Sequence, residues 1–456
     1  MFDLSGIIMY NIDSKKKGRS FMNKVLNVLE LFAGVGGFRI GLENASNSVF
    51  NTKWSNQWEP SRKSQDAFEV YNYKYSSSEN LNINIEDISD EKFESMDADI
   101  IVGGFPCQDY SVARSKKNEM GIAGKKGVLF WQIIRATKLI KPKYLILENV
   151  DRLLKSPSKQ RGRDFAIMLA AFNDLNYSVE WRVINAADYG RSQRRRRVFF
   201  FIYRNDTSFA KSIDSLYEVE GQDFLFDEHK YDDYIFDTGL FAKQFPIKKQ
   251  AYKGRQASYH ISEDVVKVSD NFTGKVWNTG VMRHGAYFTI DTEPKGDIEP
   301  IPLKKVILPI QDIEEKFFLD NNKEKLEKFK YLRGPKRIKR TSASGHTYYF
   351  SEGGMSPFDN LDLPGRTMLT SEGSVNRSTH LLNTEGRYRL LTPVEAERLQ
   401  DFPDNWTKYK LTKDNKVVEV SDRMRMFFMG NALVTEIVKN IGLGILDIER
   451  QESNSI

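Results

Sequence analysis

The sequence contains very little cysteine and histidine. Cys107 is the only cysteine among 456 residues, which excludes an intrachain disulfide and a cysteine-rich metal site. So few thiols are typical of a reducing compartment, and we predict a cytoplasmic protein. The five histidines do not stand at metal-ligand spacings, so no metal site is predicted. No apolar run approaches the length of a membrane span, so no membrane association is predicted.

The length and the net charge of the chain bear on its number of domains and on its partners. A chain of 456 residues has room for about two to three domains. Its net charge of +6 fits a polyanionic partner without requiring one. Residues 1–24 carry an apolar stretch followed by basic residues. This is the reverse of the order in a secretory signal, and we interpret these residues as an N-terminal extension.

Strand and helix patterns alternate through residues 25–204. Apolar runs typical of buried strands occur at 25–31, 144–147 and 199–203, with helical patterns between them. The alternation stops near residue 205 and partly returns after residue 384. This order predicts an α/β fold with a mostly parallel, doubly wound sheet over residues 25–204, on which residues 385–456 pack back.

A glycine-rich turn follows the first predicted strand. The sequence Phe32-Ala33-Gly34-Val35-Gly36-Gly37 leads into a helical pattern, and missing side chains at such a turn let the main chain approach a nucleotide. Its spacing is not the Gly-x-Gly-x-x-Gly of dinucleotide-binding proteins, because Phe32 replaces the first glycine. The alternative is a turn that only packs a strand tightly against a helix. Glu59 and Asp87, near later predicted strand or turn ends, are candidate ligands, or else a helix-dipole partner and a turn former.

The single cysteine lies on a turn after another predicted strand. The strand at 99–102 is broken by Gly103-Gly104-Phe105-Pro106-Cys107, which places the thiol at the carboxyl edge of the sheet, where ligands gather in α/β folds. A lone cysteine is otherwise most often a small buried hydrophobe. Glu148 directly follows the apolar run 144–147, a position that favours function over packing.

Four consecutive arginines precede the apolar run 199–203. The alternation of a strand places Arg195 and Arg197 on the same side, so both face one site or both face solvent. A charge run of this kind is otherwise usually a solvated surface.

Residues 205–384 differ in composition from the rest of the chain. Basic, aromatic and hydroxyl side chains are concentrated at 252–256, 333–341 and 344–349, a combination suited to phosphate contacts and base stacking. Each patch alone is typical of a solvated surface. Their concentration in one region favours a second, smaller domain with a binding role.

Six stretches, in this order, resemble the motifs of the bacterial C5-cytosine DNA methyltransferases over about residues 25–204 and 385–445. They are Phe32-x-Gly34-x-Gly36, Gly104-Phe105-Pro106-Cys107-Gln108, Glu148-Asn149-Val150, Gln193-x-Arg195-x-Arg197, Arg389-Leu390-Leu391-Thr392-Pro393-x-Glu395 and Gly430-Asn431. The resemblance implies a Rossmann-like methyltransferase domain that uses S-adenosylmethionine, with a target-recognition domain at 205–384. The implied activity is methyl transfer to C5 of cytosine in a specific short sequence of double-stranded DNA.

The same resemblance implies catalytic roles. Cys107 is the nucleophile that adds to C6 of a cytosine flipped out of the duplex. Glu148 binds the ring N3 and the exocyclic amine, while Arg197, with Arg195 nearby, holds O2 and favours the thiolate. A loop at about 111–126 is expected to close over the site.

The cofactor site that the resemblance implies comprises Phe32, Ala33, Gly34, Gly36, Gly37, Trp58, Glu59, Asp87, Phe105 and Asn431. One position departs from the family. Many members carry Glu-Trp at the end of the second strand, whereas this chain has Gln57-Trp58-Glu59. Either Gln57 binds the ribose, or Glu59 does so after a local shift.

Stand-alone enzymes of this kind commonly protect host DNA from a partner endonuclease, so a place in a restriction-modification system is predicted, with the enzyme acting as a monomer. Three alternatives remain open. A methyltransferase for cytosine in RNA, such as tRNA, would share the catalytic residues, although the large basic second domain favours duplex DNA. A nicotinamide-dependent oxidoreductase would need a third glycine near Arg39 and gives Cys107 and Glu148 no role. A non-catalytic DNA-binding module would leave these two residues and Arg197 dispensable.

Overall fold

The computed structural model describes residues 24–106, 129–157, 159–217, 233–261, 265–342 and 345–454. Cys107, the N-terminal extension up to residue 23 and the predicted closing loop at 111–126 lie outside these residues. The structure therefore describes the residues near Cys107 and not Cys107 itself.

A ten-stranded mixed sheet forms the centre of the fold, in the order β3-β2-β1-β4-β5-β7-β6-β9-β10-β8. Neighbours from β3 to β5 are parallel, and all later neighbours are antiparallel. The predicted α/β fold is confirmed. Among the strands of residues 25–204, four of the six neighbouring pairs are parallel, and the later antiparallel strands make the whole sheet mixed. The strands are β1 Leu26–Leu31, β2 Phe50–Asn56, β3 Glu79–Leu81, β4 Ile100–Gly104, β5 Tyr144–Val150, β6 Tyr177–Asn185, β7 Arg196–Arg204, β8 Gln256–His260, β9 Thr279–Arg283 and β10 Ala286–Ile290.

Helices and three small two-stranded sheets make up the other regular elements of the described residues. The helices are α1 Gly37–Ser46, α2 Asp66–Lys74, α3 Asp90–Glu94, α4 Leu129–Ile140, α5 Arg163–Asp174, α6 Ser208–Tyr217, α7 Leu240–Gln244, α8 Val265–Asn271, α9 Lys323–Arg333, α10 Pro393–Leu399, α11 Asp422–Asn431 and α12 Thr435–Asn454. The small sheets pair β11 Lys336–Thr341 with β12 Thr347–Glu352, β13 Leu382–Thr384 with β14 Arg387–Arg389, and β15 Tyr409–Leu411 with β16 Val417–Glu419.

The central strands are buried on both faces of the sheet because they are apolar at nearly every position. In β5, Leu145 and Leu147 pack with α4 and α5, while Tyr144 and Ile146 pack with α1 and α12 on the other face. Such continuous apolar runs are expected where helices cover both sides of parallel strands. The predicted buried strands at 144–147 and 199–203 are confirmed within β5 and β7.

The last helix packs directly on the first. A Cβ atom on Gly41 of α1 would lie 2.7 Å from the carbonyl oxygen of Thr435, and one on Gly442 of α12 would lie 2.9 Å from Cβ of Ala45. Both glycines therefore permit the close approach of α1 and α12. This contact brings the C-terminal part of the chain back to the first βα unit.

Three strands from within the predicted second domain extend the central sheet. β9 pairs antiparallel with β6, with Met282 opposite Val179 and Thr279 opposite Arg182. β10 and β8 follow at the edge. A separate small apolar cluster of Leu319, Phe329 and Leu381 lies later in this region. The division of the chain at residue 205 stays a prediction, but the strands up to Ile290 share a sheet with the catalytic part.

The chain returns from the second region through residues 365–368, which we call the strap. The amide of Gly365 donates to the carbonyl of Ser192 at 2.7 Å, and its carbonyl accepts from the amide of Arg194 at 2.8 Å. The amide of Met368 donates to Oε1 of Gln193 at 3.0 Å. The strap is thereby fastened to the segment that leads into β7.

Two predictions for the C-terminal part have different outcomes. A threonine cap, a proline and apolar residues at helical spacing predict a helix over residues 391–400. This helix is α10, which begins with a capping box between Thr392 and Glu395. The sequence also predicts that Gly430 and Asn431 form a loop before the last helix. They are instead the last two residues of α11, and α12 begins at Thr435.

Candidate active site

Four chain segments meet at one edge of the sheet. β1, β4 and β5 are parallel and end there, whereas β7 runs antiparallel to β5 and begins there. The glycine turn after β1, the Phe105-Pro106 turn after β4, Glu148 and Arg197 are consequently neighbours. Of the predicted catalytic residues, Glu148, Arg195 and Arg197 are described, and Cys107 follows directly after Pro106.

Glu148 is the centre of this cluster. A Cβ atom on Gly104, three residues before Cys107, would lie 3.0 Å from Oε2 of Glu148, so only glycine leaves room for the carboxylate. Nε of Arg197 lies 2.8 Å from Oε1 of Glu148, and both side chains are less than one-fifth exposed. Burial raises the pKa of Glu148 and outweighs the opposing effect of the Arg197 and Arg195 charges.

Asn149 fixes the turn that carries Cys107. Its buried Nδ2 donates to the carbonyl of Phe105 at 2.9 Å, while its Oδ1 accepts from the amide of Val150. Sequence reasoning assigned Asn149 no role, although its place in the Glu148-Asn149-Val150 motif is a signal. The bond to Phe105 ties the end of β5 to the segment after β4, and the bond from Val150 orients the Asn149 amide.

Arg195 has a different environment from Arg197. It is 2% exposed, and its Nη1 and Nη2 donate to the carbonyls of Met368 and Gly430 at 3.0 and 2.9 Å. Burial lowers the pKa of Arg195 well below its usual range. The prediction that Arg195 helps to hold the base stays untested, but these contacts favour a positioning role that links β7, the strap and α11.

Gly430 completes this three-way junction. A Cβ atom there would overlap main-chain atoms of Leu369 and Thr370. Its carbonyl accepts from Arg195, so the residue contacts two distant segments at once. The Gly430-Asn431 motif therefore has a packing explanation in addition to any role in binding.

The Gly430→Ala variant is expected to lose about 3 kcal/mol of unfolding free energy, because the added methyl group meets main chain that cannot rotate away. The matched control is Gly353→Ala, where the added Cβ has no atom within 4 Å. Denaturant unfolding of both variants measures the difference. Equal stability of the two variants would show that the junction can relax.

The turn after β1 has the backbone of a ligand-binding turn. Phe32, Gly34 and Gly36 have φ values of 54°, 55° and 92°, a region that is costly for Phe32. A Cβ on Gly34 would have nothing within 4 Å, whereas one on Gly36 would lie 3.0 Å from the Tyr75 ring. A side chain at Gly34 would therefore point into open space, whereas a side chain at Gly36 would crowd the Tyr75 ring.

The structure separates the two candidate ribose ligands. Oε1 of Gln57 accepts from the amide of Gly34 at 2.8 Å, so its side chain lies on the glycine turn. The Glu59 carboxylate instead lies 3.6 Å from Nε of Arg62, and its amide donates to Gln65. Burial raises the pKa of Glu59.

The other predicted cofactor residues occupy varied positions. Trp58 is 38% exposed, an open apolar surface at the end of β2. Ala33 is buried, and Gly37 packs against Leu433, two residues after Asn431. Asn431 and Asp87 are exposed. Phe105 is buried in the core, where its ring packs against Phe130, and its carbonyl rather than its ring carries a polar contact.

A buried acid behind the glycine turn is not among the predicted site residues. Glu30 of β1 is fully buried and accepts from the Tyr71 hydroxyl at 2.9 Å. Its other oxygen accepts from the amide of Arg39 in α1 at 3.4 Å. Burial raises the pKa of Glu30 to about 7. The residue ties β1, α1 and α2 together behind the turn.

A model of C-5 cytosine-specific DNA methylases matches residues 26–447. The chain belongs to this family. It is a DNA cytosine-5 methyltransferase, and the matched span includes every described residue of the candidate site.

Relatives of this methyltransferase agree with the family match. The Type II methyltransferase M.Sau3AI of Staphylococcus aureus is 54% identical over 428 residues, covering 94% of this chain and 97% of that protein. The Type II methyltransferase M.HhaI of Haemophilus parahaemolyticus is 32% identical over 181 residues, covering 40% of this chain and 50% of that protein. The likeness to M.Sau3AI therefore extends through the second region.

Solved structures support the fold of the methyltransferase. A Spodoptera frugiperda DNMT2 mutant superposes with a TM-score of 0.54 at 13% identity, covering 93% of this chain and 99% of that chain. Schizosaccharomyces pombe Dnmt2 gives the same values. At this identity the likeness shows the fold alone. None of the helices in the described part of the chain is long and apolar enough to cross a membrane.

Proposed function

We propose that this enzyme transfers the methyl group of S-adenosylmethionine to C5 of a cytosine flipped out of double-stranded DNA, with Cys107 as the covalent nucleophile. The observation that best supports this proposal is the buried Glu148–Arg197 pair. It lies against Gly104, which precedes Cys107 by three residues. A carboxyl and a guanidinium at this distance match the N3, amine and O2 edge of cytosine.

The reaction begins with the thiolate of Cys107. Its addition at C6 of the ring makes C5 nucleophilic, and negative charge develops toward N3. A protonated Glu148 stabilises that charge by donating a hydrogen bond to N3, which its raised pKa favours. After methyl transfer, C5 loses its proton and the C6–S bond breaks, which restores the aromatic ring and frees the thiolate.

Base flipping follows from the burial of the pocket. Glu148 and Arg197 are 13% and 17% exposed, and a base stacked in a duplex cannot reach groups at that depth. The cytosine must rotate out of the helix to bring its Watson–Crick edge to them.

The residues around the glycine turn fit S-adenosylmethionine, because Gly34 faces open space, the Gln57 amide contacts Gly34, and the ring of the next residue, Trp58, is exposed. When bound, S-adenosylmethionine supplies a methyl group activated by a sulfonium. Gln57 would donate from Nε2 to a ribose hydroxyl while its Oε1 stays on Gly34. Trp58 would cover an apolar face of the adenosine, with Phe32 and Asn431 at the rim.

We expect the Gln57→Ala variant to bind S-adenosylmethionine about fivefold to tenfold more weakly, the effect of one lost hydrogen bond. The Glu59→Gln variant is expected to stay within about twofold of wild type, because that carboxylate is paired with Arg62. Calorimetric titration of each variant with the cofactor measures both affinities without turnover. The reverse ranking would assign the ribose to Glu59.

We further propose that the enzyme acts as a monomer and as the modification partner of a restriction endonuclease, on the same short DNA sequence as M.Sau3AI. Support for the shared sequence comes from the 54% identity, which extends across the second region as well as the catalytic part. The monomer is proposed because the predicted catalytic and cofactor-binding residues all occur within the span that the family model matches.

Bisulfite sequencing of plasmid DNA from cells that express this chain tests the proposal, with an empty vector as control. Protected cytosines in one short context, identical to the context that M.Sau3AI protects in a parallel culture, are expected. Protection in another context would refute the shared sequence. Full conversion of plasmid DNA by well-folded enzyme would refute the proposed reaction on DNA.

A further inference from the structure

We infer that the hairpin of β11 and β12, here called the ribbon, enters the major groove of the target DNA and that one of its faces reads the bases. The reading face carries Arg337, Lys339 and Tyr349. The inference deepens the proposed function, because it names the side chains that select the site.

The ribbon has the shape that this role needs. β11 and β12 pair with each other in a two-stranded sheet of six residues per strand, separate from the central sheet. Neighbouring strands lie about 5 Å apart, so a ribbon with its side chains fits the major groove, which is about 12 Å wide. A broader sheet would not enter.

The two faces of the ribbon differ. One face carries Lys336, Ile338 and Arg340 opposite Glu352, Phe350 and Tyr348. At the end of the ribbon where β11 begins and β12 ends, this face contacts the rest of the protein. There Nζ of Lys336 donates to the carbonyl of Leu332 in α9 at 2.7 Å and lies 3.2 Å from Glu352. This inner face is therefore engaged at its base and carries an acid that phosphates would repel.

The outer face carries only groups that suit DNA. Arg337, Lys339 and Thr341 stand opposite Ser351, Tyr349 and Thr347, and all six residues are exposed. The face contains two cations, three aliphatic hydroxyls and one phenol, with no acid. Arginine and lysine donate to guanine, and hydroxyl groups contact any base or a phosphate.

Arg337 stacks on an aromatic ring of the same face. Its guanidinium lies 4.7 Å from the centre of the Tyr349 ring on the neighbouring strand. Stacking on an aromatic ring fixes the plane of the guanidinium, and a fixed planar fork loses less entropy when it binds a guanine edge in two places. Arg340 of the inner face is stacked in a similar way, 4.1 Å from the centre of the Phe350 ring. The choice of the outer face therefore rests on its lack of acids and on the contacts that engage the base of the inner face.

The base of the ribbon is anchored to the rest of the chain by ion pairs, of which the Arg333–Asp359 pair is buried. Arg377 lies 2.9 Å from the same Glu352 carboxylate. Arg333, at the end of α9, pairs with Asp359 at 2.8 Å, and Asp359 also pairs with Arg366 at 2.5 Å.

Arg366 belongs to the strap that is fastened beside β7. The orientation of the ribbon is thereby linked to β7, the strand that carries Arg197. A base read by the ribbon is held at a set distance from the cytosine pocket.

The test compares outer-face and inner-face variants with the same loss of charge. Arg337→Ala and Lys339→Ala change the outer face, and Arg340→Ala removes one cation from the inner face of the same strand. For each, kcat/KM for methyl transfer is measured on a duplex with the protected site and on duplexes with single-base changes in it. All three side chains are exposed, so we expect the variants to fold. Thermal unfolding checks this expectation.

We expect Arg337→Ala to lower discrimination at one base pair about tenfold or more, and Lys339→Ala to lower it to a smaller extent. Arg340→Ala is expected to lower kcat/KM on all duplexes by a similar small factor and to keep discrimination within about twofold of wild type. Undiminished discrimination in both outer-face variants, or equal losses in all three variants, would overturn the inference. Wild-type enzyme that methylates no duplex would instead refute the proposed function.

Discussion

Replacing Cys107 with alanine is expected to lower the rate of methyl transfer roughly 10⁴-fold or more. The chain has no other cysteine, so no second thiolate can take over addition to C6. The turn itself does not depend on the thiol, because Asn149 holds it through the carbonyl of Phe105. Binding of DNA and of S-adenosylmethionine should therefore be retained.

Two measurements separate the nucleophile from a structural role. Methyl transfer to a duplex with the protected site gives the rate. A duplex with 5-fluorocytosine at the target position gives the covalent step, because fluorine cannot leave C5 as a proton does and the C6–S bond cannot break. Wild-type enzyme should form a complex that survives denaturation, and Cys107→Ala should form none. Trapping in the variant would exclude Cys107 as the nucleophile.

The Glu148→Gln variant is expected to lose about 10²- to 10⁴-fold in kcat, the usual contribution of a positioned acid. Glutamine has nearly the same shape and keeps a hydrogen-bond donor, but it cannot hold the carboxyl proton for N3. Its partner Arg197 also loses the carboxylate that lies 2.8 Å from its Nε. The loss should appear mainly in kcat, since Cys107 and the glycine turn remain in place.

The pH profile gives a second readout of Glu148. Burial raises the pKa of its carboxyl, so the protonated form persists to higher pH than for an exposed glutamate, and activity should fall as pH rises through that pKa. The amide of Glu148→Gln does not titrate, so its small residual activity should lack this alkaline fall.

A matched control is Glu180→Gln, which changes another buried acid whose pKa burial raises to about 7. Glu180 lies on β6, away from the site, where it accepts from the Tyr234 hydroxyl. If the activity of Glu148→Gln still falls at alkaline pH, the titrating group is a residue other than Glu148.

Much of the fold and part of the site could be predicted because their signals are local. A buried strand, a glycine turn and a helix follow one another within 25–46, and Glu148 directly follows the apolar core of β5. Such patterns depend only on neighbours in the sequence. The same is true of α10, whose threonine cap and proline stand at its start.

Other features depend on residues far apart in the chain. The hydrogen bonds of Arg195 reach Met368 and Gly430, which are 173 and 235 residues away. The pairing of β6 with β9 likewise joins segments on either side of the predicted boundary at residue 205. No local pattern encodes such partners, so the sequence marked Arg195 as important without indicating what it contacts.

The strap has a consequence for engineering new specificities. A chimera that exchanges the whole of residues 205–384 would remove β8, β9 and β10 from the central sheet and cut the strap from its partners at Ser192–Arg195. A smaller exchange, which begins after Ile290 and ends before Gly365, keeps these strands and the strap. It carries the ribbon with Arg333, Glu352 and Asp359, and the recipient must then supply their partners Arg366 and Arg377. With the two junctions at these positions, the exchanged segment is flanked on both sides by main chain of the recipient protein.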